Sequence, residues 1–159
     1  RLALVVPKTT TKFTQRSEQQ FNAIAQECAL ISNAIHGNTI IFFPSYAIRD
    51  NVQKYFKTVC NKTTFLEIPG MSKEEKTDVL NRFKAQNTIG AVLLAAVSGS
   101  YGEGIDLPGD LLKCVIVVGL PLTSPSLRTP LQGPSSTFRS TVSRFPKPPR
   151  EALGLKPHH

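Results

Sequence analysis

From Ile89 to Val97 the chain is apolar apart from one glycine, and the run stops at Ser98. It falls well short of the roughly 18–20 residues that cross a bilayer, and its length suits a strand buried on both faces. The segment that follows, Ser98 to Asp110, carries four glycines. Thr39–Phe43, Thr64–Ile68 and Cys114–Val118 have the same strand-like, β-branched and aromatic character, and Leu2–Val6 adds a fifth candidate strand. Between these runs the period changes. Phe21, Ile24, Ala25, Cys28, Ile31 and Ile35 recur at helical spacing behind a Ser17-x-x-Gln20 capping box, with Gly37-Asn38 as the stop. Ile48, Val52, Tyr55, Phe56 and Val59 predict a second helix. Val79, Leu80 and Phe83 predict a third behind Ser72-x-x-Glu75. Strands that alternate with helices in this way predict an α/β fold whose mainly parallel sheet is covered on both faces, over residues 1–124.

The 159 residues leave room for one such domain and a tail. Residues 125–159 hold six basic side chains against one acidic, and seven of the chain's 12 prolines. They show no sustained period, so they predict a disordered, basic, Pro/Ser-rich tail. The net charge of +8 is therefore largely a property of that tail. A basic segment favours polyanions, and a solvated tail without a partner is the other reading. Cys28, Cys60 and Cys114 are odd in number and widely spaced, which fits neither a disulfide framework nor a zinc site. With no secretory segment at the start, the expectation is a reducing, intracellular compartment, cytoplasmic or on the nucleoid or in the nucleus if DNA-bound. The chain opens on Arg1 and its only methionine is Met71, so it reads as a piece of something longer.

Ligands of open parallel sheets gather beyond the C-terminal strand ends. The segments placed there are Pro7–Arg16, Pro44–Arg49, Ser98–Asp110 and Gly119–Thr123. In the third, glycines let a phosphate or sugar approach the backbone and a carboxylate can accept a ribose hydroxyl or hold a metal-bound water; a plain crossover loop is the alternative. Ser45 and Tyr46 can bind a phosphate, or Ser45 can be only the N-cap of the next helix. Lys12 and Arg16 beside Phe13 suit a nucleic-acid strand, or Phe13 can fold into the core. His36 lies near a helix C-terminus, where its charge is favourable. No G-x-x-x-x-G-K-[ST] phosphate loop occurs in the sequence.

Taken together, these segments resemble the second RecA-like motor domain of the XPD/DinG-like superfamily 2 DNA helicases. Thr10 to Ser17 resembles the family's threonine-x-aromatic-x-x-arginine stretch, GNTIIFFPSY (Gly37–Tyr46) its fourth motif, and Gly90–Leu122 its fifth motif and following strand. The Met71–Glu75 helix entry fits between them. The resemblance implies a RecA-like three-layer α/β/α domain. It also implies ATP hydrolysis coupled to movement on single-stranded DNA, with ATP and Mg2+ shared with a first, N-terminal RecA-like domain. Carried onto this chain, Gly102, Glu103, Gly104 and Asp106 would face the ATP cleft, while Thr11, Arg16, Ser45 and Tyr46 would lie along the DNA. An iron–sulfur cluster would belong to the first domain, and none of the three cysteines here matches its ligands. No membrane partner is implied.

The family's sixth motif, glutamine-x-x-glycine-arginine-x-x-arginine, supplies arginines to the γ-phosphate. Residues 123–159 do not contain it: Gln132-Gly133 runs into Pro134, and Arg139 and Arg144 lack its spacing. The tail reads as an unrelated extension. The expected function is the C-terminal motor half of an ATP-dependent DNA helicase, inactive alone. The alternative is a non-catalytic nucleic-acid- or partner-binding module that keeps the fold. A small-molecule enzyme built on Gly102–Asp106 is a third reading without a nucleophile or base set.

Overall fold

A computed structural model of the chain describes residues 3–105, 107 and 109–119. All of them fall within a compact unit that runs Arg1–Leu122. The proposed tail, Asp106 and the end of the GLPL stretch lie outside the described residues.

Among the described residues, four strands form one sheet: β1 (Thr39–Phe43), β2 (Thr63–Leu66), β3 (Ala91–Ala96) and β4 (Cys114–Val117). Their order is β2-β3-β1-β4 and every pairing is parallel, with Ile41 opposite Leu94 on one side and Ile116 on the other. The mainly parallel sheet expected from the strand–helix alternation is thus present, and its described pairings are all parallel. Helices α1 (Glu18–Ala34), α2 (Tyr46–Val59) and α3 (Lys73–Ala85) cover it. One face packs Ile41, Phe43, Val92 and Leu94 with Ile24, Cys28, Val52 and Phe56 of α1 and α2. The other packs Ile40, Leu93 and Ala95 with Phe83 of α3 and Tyr101. Burying each of Phe43, Phe56 and Phe83 completely is worth about 2 kcal/mol in apolar transfer.

The helix starts follow their local signals to different degrees. At α3, Ser72 Oγ accepts the Glu75 N–H at 3.2 Å and the Glu75 carboxylate accepts the Ser72 N–H at 2.7 Å, a complete capping box. At α1 only half of the expected box forms. Ser17 Oγ accepts the Gln20 N–H, but the Gln20 side chain turns away and accepts the Thr10 N–H at 3.5 Å. A non-local partner has replaced the local one.

The N-terminal strand expected at Leu2–Val6 does not form among the described residues. Residues 3–6 have no regular structure, and Leu4 and Val5 are 74% and 91% exposed. With β3 and β4 on either side of β1, a fifth strand could join only at the outer edge of β2 or β4, and the run at 3–6 pairs with neither. Apolar character alone does not make a strand without a partner.

Candidate nucleotide and nucleic-acid site

Because all four strands run the same way, the segments that leave them gather along one edge of the sheet. After β1 comes Ser45, whose hydroxyl accepts the Ile48 N–H at 3.4 Å as the N-cap of α2. The capping role is thus present, and it leaves the hydroxyl proton free to be donated. Tyr46 follows as the first residue of α2, with the Arg49 guanidinium 4.9 Å from its ring centre.

After β3 the backbone turns tightly. The Gly99 N–H donates to the Ala96 carbonyl at 2.9 Å and the Gly102 N–H to the Gly99 carbonyl at 3.0 Å. A Cβ at Gly102 would collide with the Val97 carbonyl, so glycine is required there by space. Beyond the turn Gly102, Glu103 and Gly104 are exposed. Gly104 sits at φ +141 with open space where a side chain would stand. Such a surface allows a phosphate or sugar to reach the backbone, so these residues fit the nucleotide that the resemblance implies. Among the described residues, no group of three or more His, Cys, Asp or Glu side chains is gathered to hold a metal ion.

After β4, Gly119 adopts φ +69 and its backbone lies directly against the Thr11 side chain. Thr11 is half-buried there, and its carbonyl accepts Arg16 Nε at 3.2 Å. The Arg16 guanidinium stands 5.2 Å from the Phe13 ring centre, and Phe13 is 80% exposed. Of the two readings of Phe13, the core one is therefore excluded. The structure thus brings Thr11 to the end of β4, Ser45 and Tyr46 to the end of β1, and Gly102–Gly104 to the loop after β3. These are three neighbouring strands of the sheet. Asp106 lies outside the described residues. His36 is exposed.

Two residues at this edge escaped sequence reasoning. Glu67, directly after β2, is 0% exposed, and Arg49 is buried beside it. The Glu67 carboxylate accepts Ser100 Oγ at 2.9 Å, the Tyr101 N–H at 3.2 Å and the Ala96 N–H at 3.0 Å. Arg49 donates to the Glu67 carbonyl and, through Nε, to Asp50 at 2.9 Å. Burial and the nearby Glu67 charge push the Tyr101 phenol up to about 12. Burial, followed by the charge and hydrogen bonding of Glu67, raises Tyr46 as well, against the opposing pull of Arg49. The available signal was a single carboxylate at a strand end, within TFLEIPG.

Residues 28–134 match the helicase C-terminal domain family. The chain is 35% identical over 102 residues to a probable ATP-dependent helicase of Methanocaldococcus jannaschii, covering 60% of this chain and 15% of that protein. It is 27% identical over 157 residues to the ATP-dependent DNA helicase DDX11 of Homo sapiens, covering 89% of this chain and 16% of that one. A solved XPD helicase superposes with a TM-score of 0.56 at 26% identity, over 74% of this chain and 20% of the other. An apo XPD structure, at 23% identity and a TM-score of 0.53, shares the fold over 74% of this chain and 23% of its own. The chain thus spans about 15% of the length of these curated relatives. Its parallel sheet, the three segments along one edge and the match over most of its length converge: the chain belongs to the helicase C-terminal domain family, as a RecA-like domain of the XPD/DinG-like superfamily 2 helicases.

Proposed function

We propose that this domain is the C-terminal half of an ATP-driven DNA motor, closing on nucleotide with Gly102, Glu103, Gly104 and Asp106 and gripping single-stranded DNA with Thr11, Arg16, Ser45 and Tyr46. The observation that carries this reading is the convergence of the three segments at adjacent strand ends of one sheet edge. Exposed glycine backbone suits the polyphosphate, and Glu103 is exposed beside it. Arg16 supplies a phosphate contact, the Ser45 hydroxyl can donate to a second phosphate, and the exposed Phe13 ring offers a stacking face for a base. ATP, bound with Mg2+ against an N-terminal RecA-like domain, supplies the free energy. This chain contributes positioning and a second wall, and by itself turns nothing over, because its sequence has neither a phosphate-loop lysine nor the sixth-motif arginines. None of the described helices is long and apolar enough to cross a membrane.

The test is fluorescence anisotropy with a short single-stranded oligonucleotide across a salt series. Arg16→Ala and Ser45→Ala should each weaken binding by roughly three- to tenfold, and Arg16→Ala should also flatten the salt slope by about one unit. Binding that ignores both substitutions would assign it to charge elsewhere in the chain and overturn the proposed DNA path. Steady ATP hydrolysis by the purified chain, abolished by Asp106→Ala, would overturn the proposed inactivity.

A further inference from the structure

The Glu67 side chain stands where the three segments that leave β1, β2 and β3 meet. Its Oε1 accepts Ser100 Oγ and the Tyr101 N–H, and its Oε2 accepts the Ala96 N–H. Both oxygens and the Tyr46 hydroxyl crowd the same face of Gly99, to the point that a Cβ there would collide with all three. Its backbone is held equally firmly. The Glu67 N–H donates to the Leu94 carbonyl at 3.0 Å, and its own carbonyl accepts the buried Arg49 guanidinium. Arg49 in turn stacks on Tyr46. The far end of the turn is pinned too, since the Tyr101 hydroxyl donates to the Lys76 carbonyl of α3 at 2.9 Å.

A carboxylate withdrawn this completely from water is expensive, and apolar residues fill such positions more cheaply unless each oxygen is satisfied. Here its oxygens are satisfied by the turn after β3, through Ser100 Oγ and the Tyr101 N–H, and by the Ala96 N–H at the end of β3, while the Tyr46 hydroxyl from the start of α2 packs against the same face of Gly99. Tyr46 also meets the turn directly, its hydroxyl lying against Gly99, and Glu67 is the polar link between the two. We propose that Glu67 is a positioning residue that couples the two halves of the site: it holds the turn presenting Gly102–Gly104 and, through Tyr46, the start of α2 that carries Ser45, so that a displacement on the nucleotide side moves the DNA side. The functional meaning of this coupling rests on the site assignment proposed above. The coupling itself is a property of the contacts and can be measured without any ligand.

The experiment is a nuclear magnetic resonance comparison on the full chain, in the wild-type and Glu67→Gln backgrounds, with Ser100→Ala and Tyr46→Phe as the two probes. Glutamine keeps the shape but replaces one acceptor with a donor that cannot satisfy the Ala96 or Tyr101 amide. In wild type, Ser100→Ala should shift the Ser45 and Tyr46 amides, and Tyr46→Phe should shift those of Gly99 to Gly104. In Glu67→Gln both cross-effects should fall by more than half, and the Tyr101 amide should exchange with solvent about tenfold faster. Retention of both cross-effects in Glu67→Gln would overturn the coupling. If Glu67→Gln does not fold, the wild-type background still decides the matter: the absence of either cross-effect there refutes the proposal.

Adding single-stranded oligonucleotide to the same samples separates the two readings. If wild type binds and the Gly102 and Gly104 amides respond only when Glu67 is intact, both hold. If cross-effects are present but no oligonucleotide binds at all, the coupling stands and the DNA assignment falls. If binding shifts Ser45 and Tyr46 and reaches Gly102 and Gly104 equally in Glu67→Gln, the DNA assignment stands and the coupling falls.

Discussion

The side-chain oxygen of Asn38 accepts the backbone N–H of Ala91 at 2.9 Å, across 53 residues of sequence. Its amide nitrogen donates to the Phe83 carbonyl at 2.9 Å, and its backbone carbonyl accepts the Lys113 N–H at 2.9 Å. One buried residue at the entry to β1 therefore ties together the end of α3 and the starts of β3 and β4. Asn38→Ala would leave the buried Ala91 N–H without its acceptor and take from the Phe83 carbonyl one of the two hydrogen bonds it accepts, the other coming from the Gln86 N–H. It should cost roughly 2–4 kcal/mol, measured as a lower urea midpoint. Asn38→Asp keeps the acceptor, loses the donor and buries a charge, so it should be at least as damaging. A loss under about 1 kcal/mol for either would show that water satisfies these groups.

Gly99 tests the packing at the sheet edge. Gly99→Ala must displace the Glu67 carboxylate or the Tyr46 hydroxyl, because its Cβ has no other room. A loss of about 1–3 kcal/mol is expected. Once the Tyr46 ring moves toward water, its raised pKa should drop back toward the ordinary value of 10.0. Absorbance-monitored pH titration of the three tyrosines reads this directly.

Alkaline pH should unfold the domain sooner than its composition suggests. Burial pushes the Cys28 thiol from 9.0 up to about 12, with Glu27 adding to the shift, and Tyr101 rises from 10.0 to about 12. Both groups are acids held neutral in the folded state and free to ionise when unfolded. Their contribution is therefore complete below pH 9 and is lost as pH rises toward 12. Between pH 8 and 11 the loss should be on the order of 3 kcal/mol. Urea midpoints at pH 8, 9, 10 and 11 give the profile, and Cys28→Ala should remove the part that begins near pH 9. A midpoint unchanged up to pH 11 would mean that these groups reach solvent in the folded state.

Gly119 tests the attachment of the Thr9–Arg16 segment. Its positive φ and its contact with Thr11 both oppose a side chain. Gly119→Val should lift Thr11 off the end of β4, and the amides of Thr10 to Arg16 should exchange faster. If the proposed DNA path holds, oligonucleotide affinity should drop at least as far as with Arg16→Ala. Unchanged exchange in that segment would show that Thr11 is held by its own chain.

Much of the fold was legible from residue order alone. Strand and helix periods are local properties, so the three helices and four strands fall close to where apolar spacing puts them. The Ser72 capping box forms as written because both partners lie three residues apart. The glycine loop after β3 was recognisable for the same reason: its tight turn is closed by Gly99 and Gly102 themselves. The family resemblance lay in these same local stretches, and the match over residues 28–134 bears it out.

Other features depended on partners far away in sequence. Leu4 and Val5 have strand-like side chains, yet no strand of the sheet pairs with them and they stay exposed. Gln20 left its capping box for Thr10, and Phe13 turned outward beside Arg16. Above all, Glu67 and Arg49 look like ordinary surface charges in sequence. Their burial arises only when three parallel strands end together, because a carboxylate 33 residues from Ser100 has no local reason to face it. Period and capping are written into neighbouring residues, whereas the identity of a buried polar centre is decided by which strand ends the sheet order brings side by side.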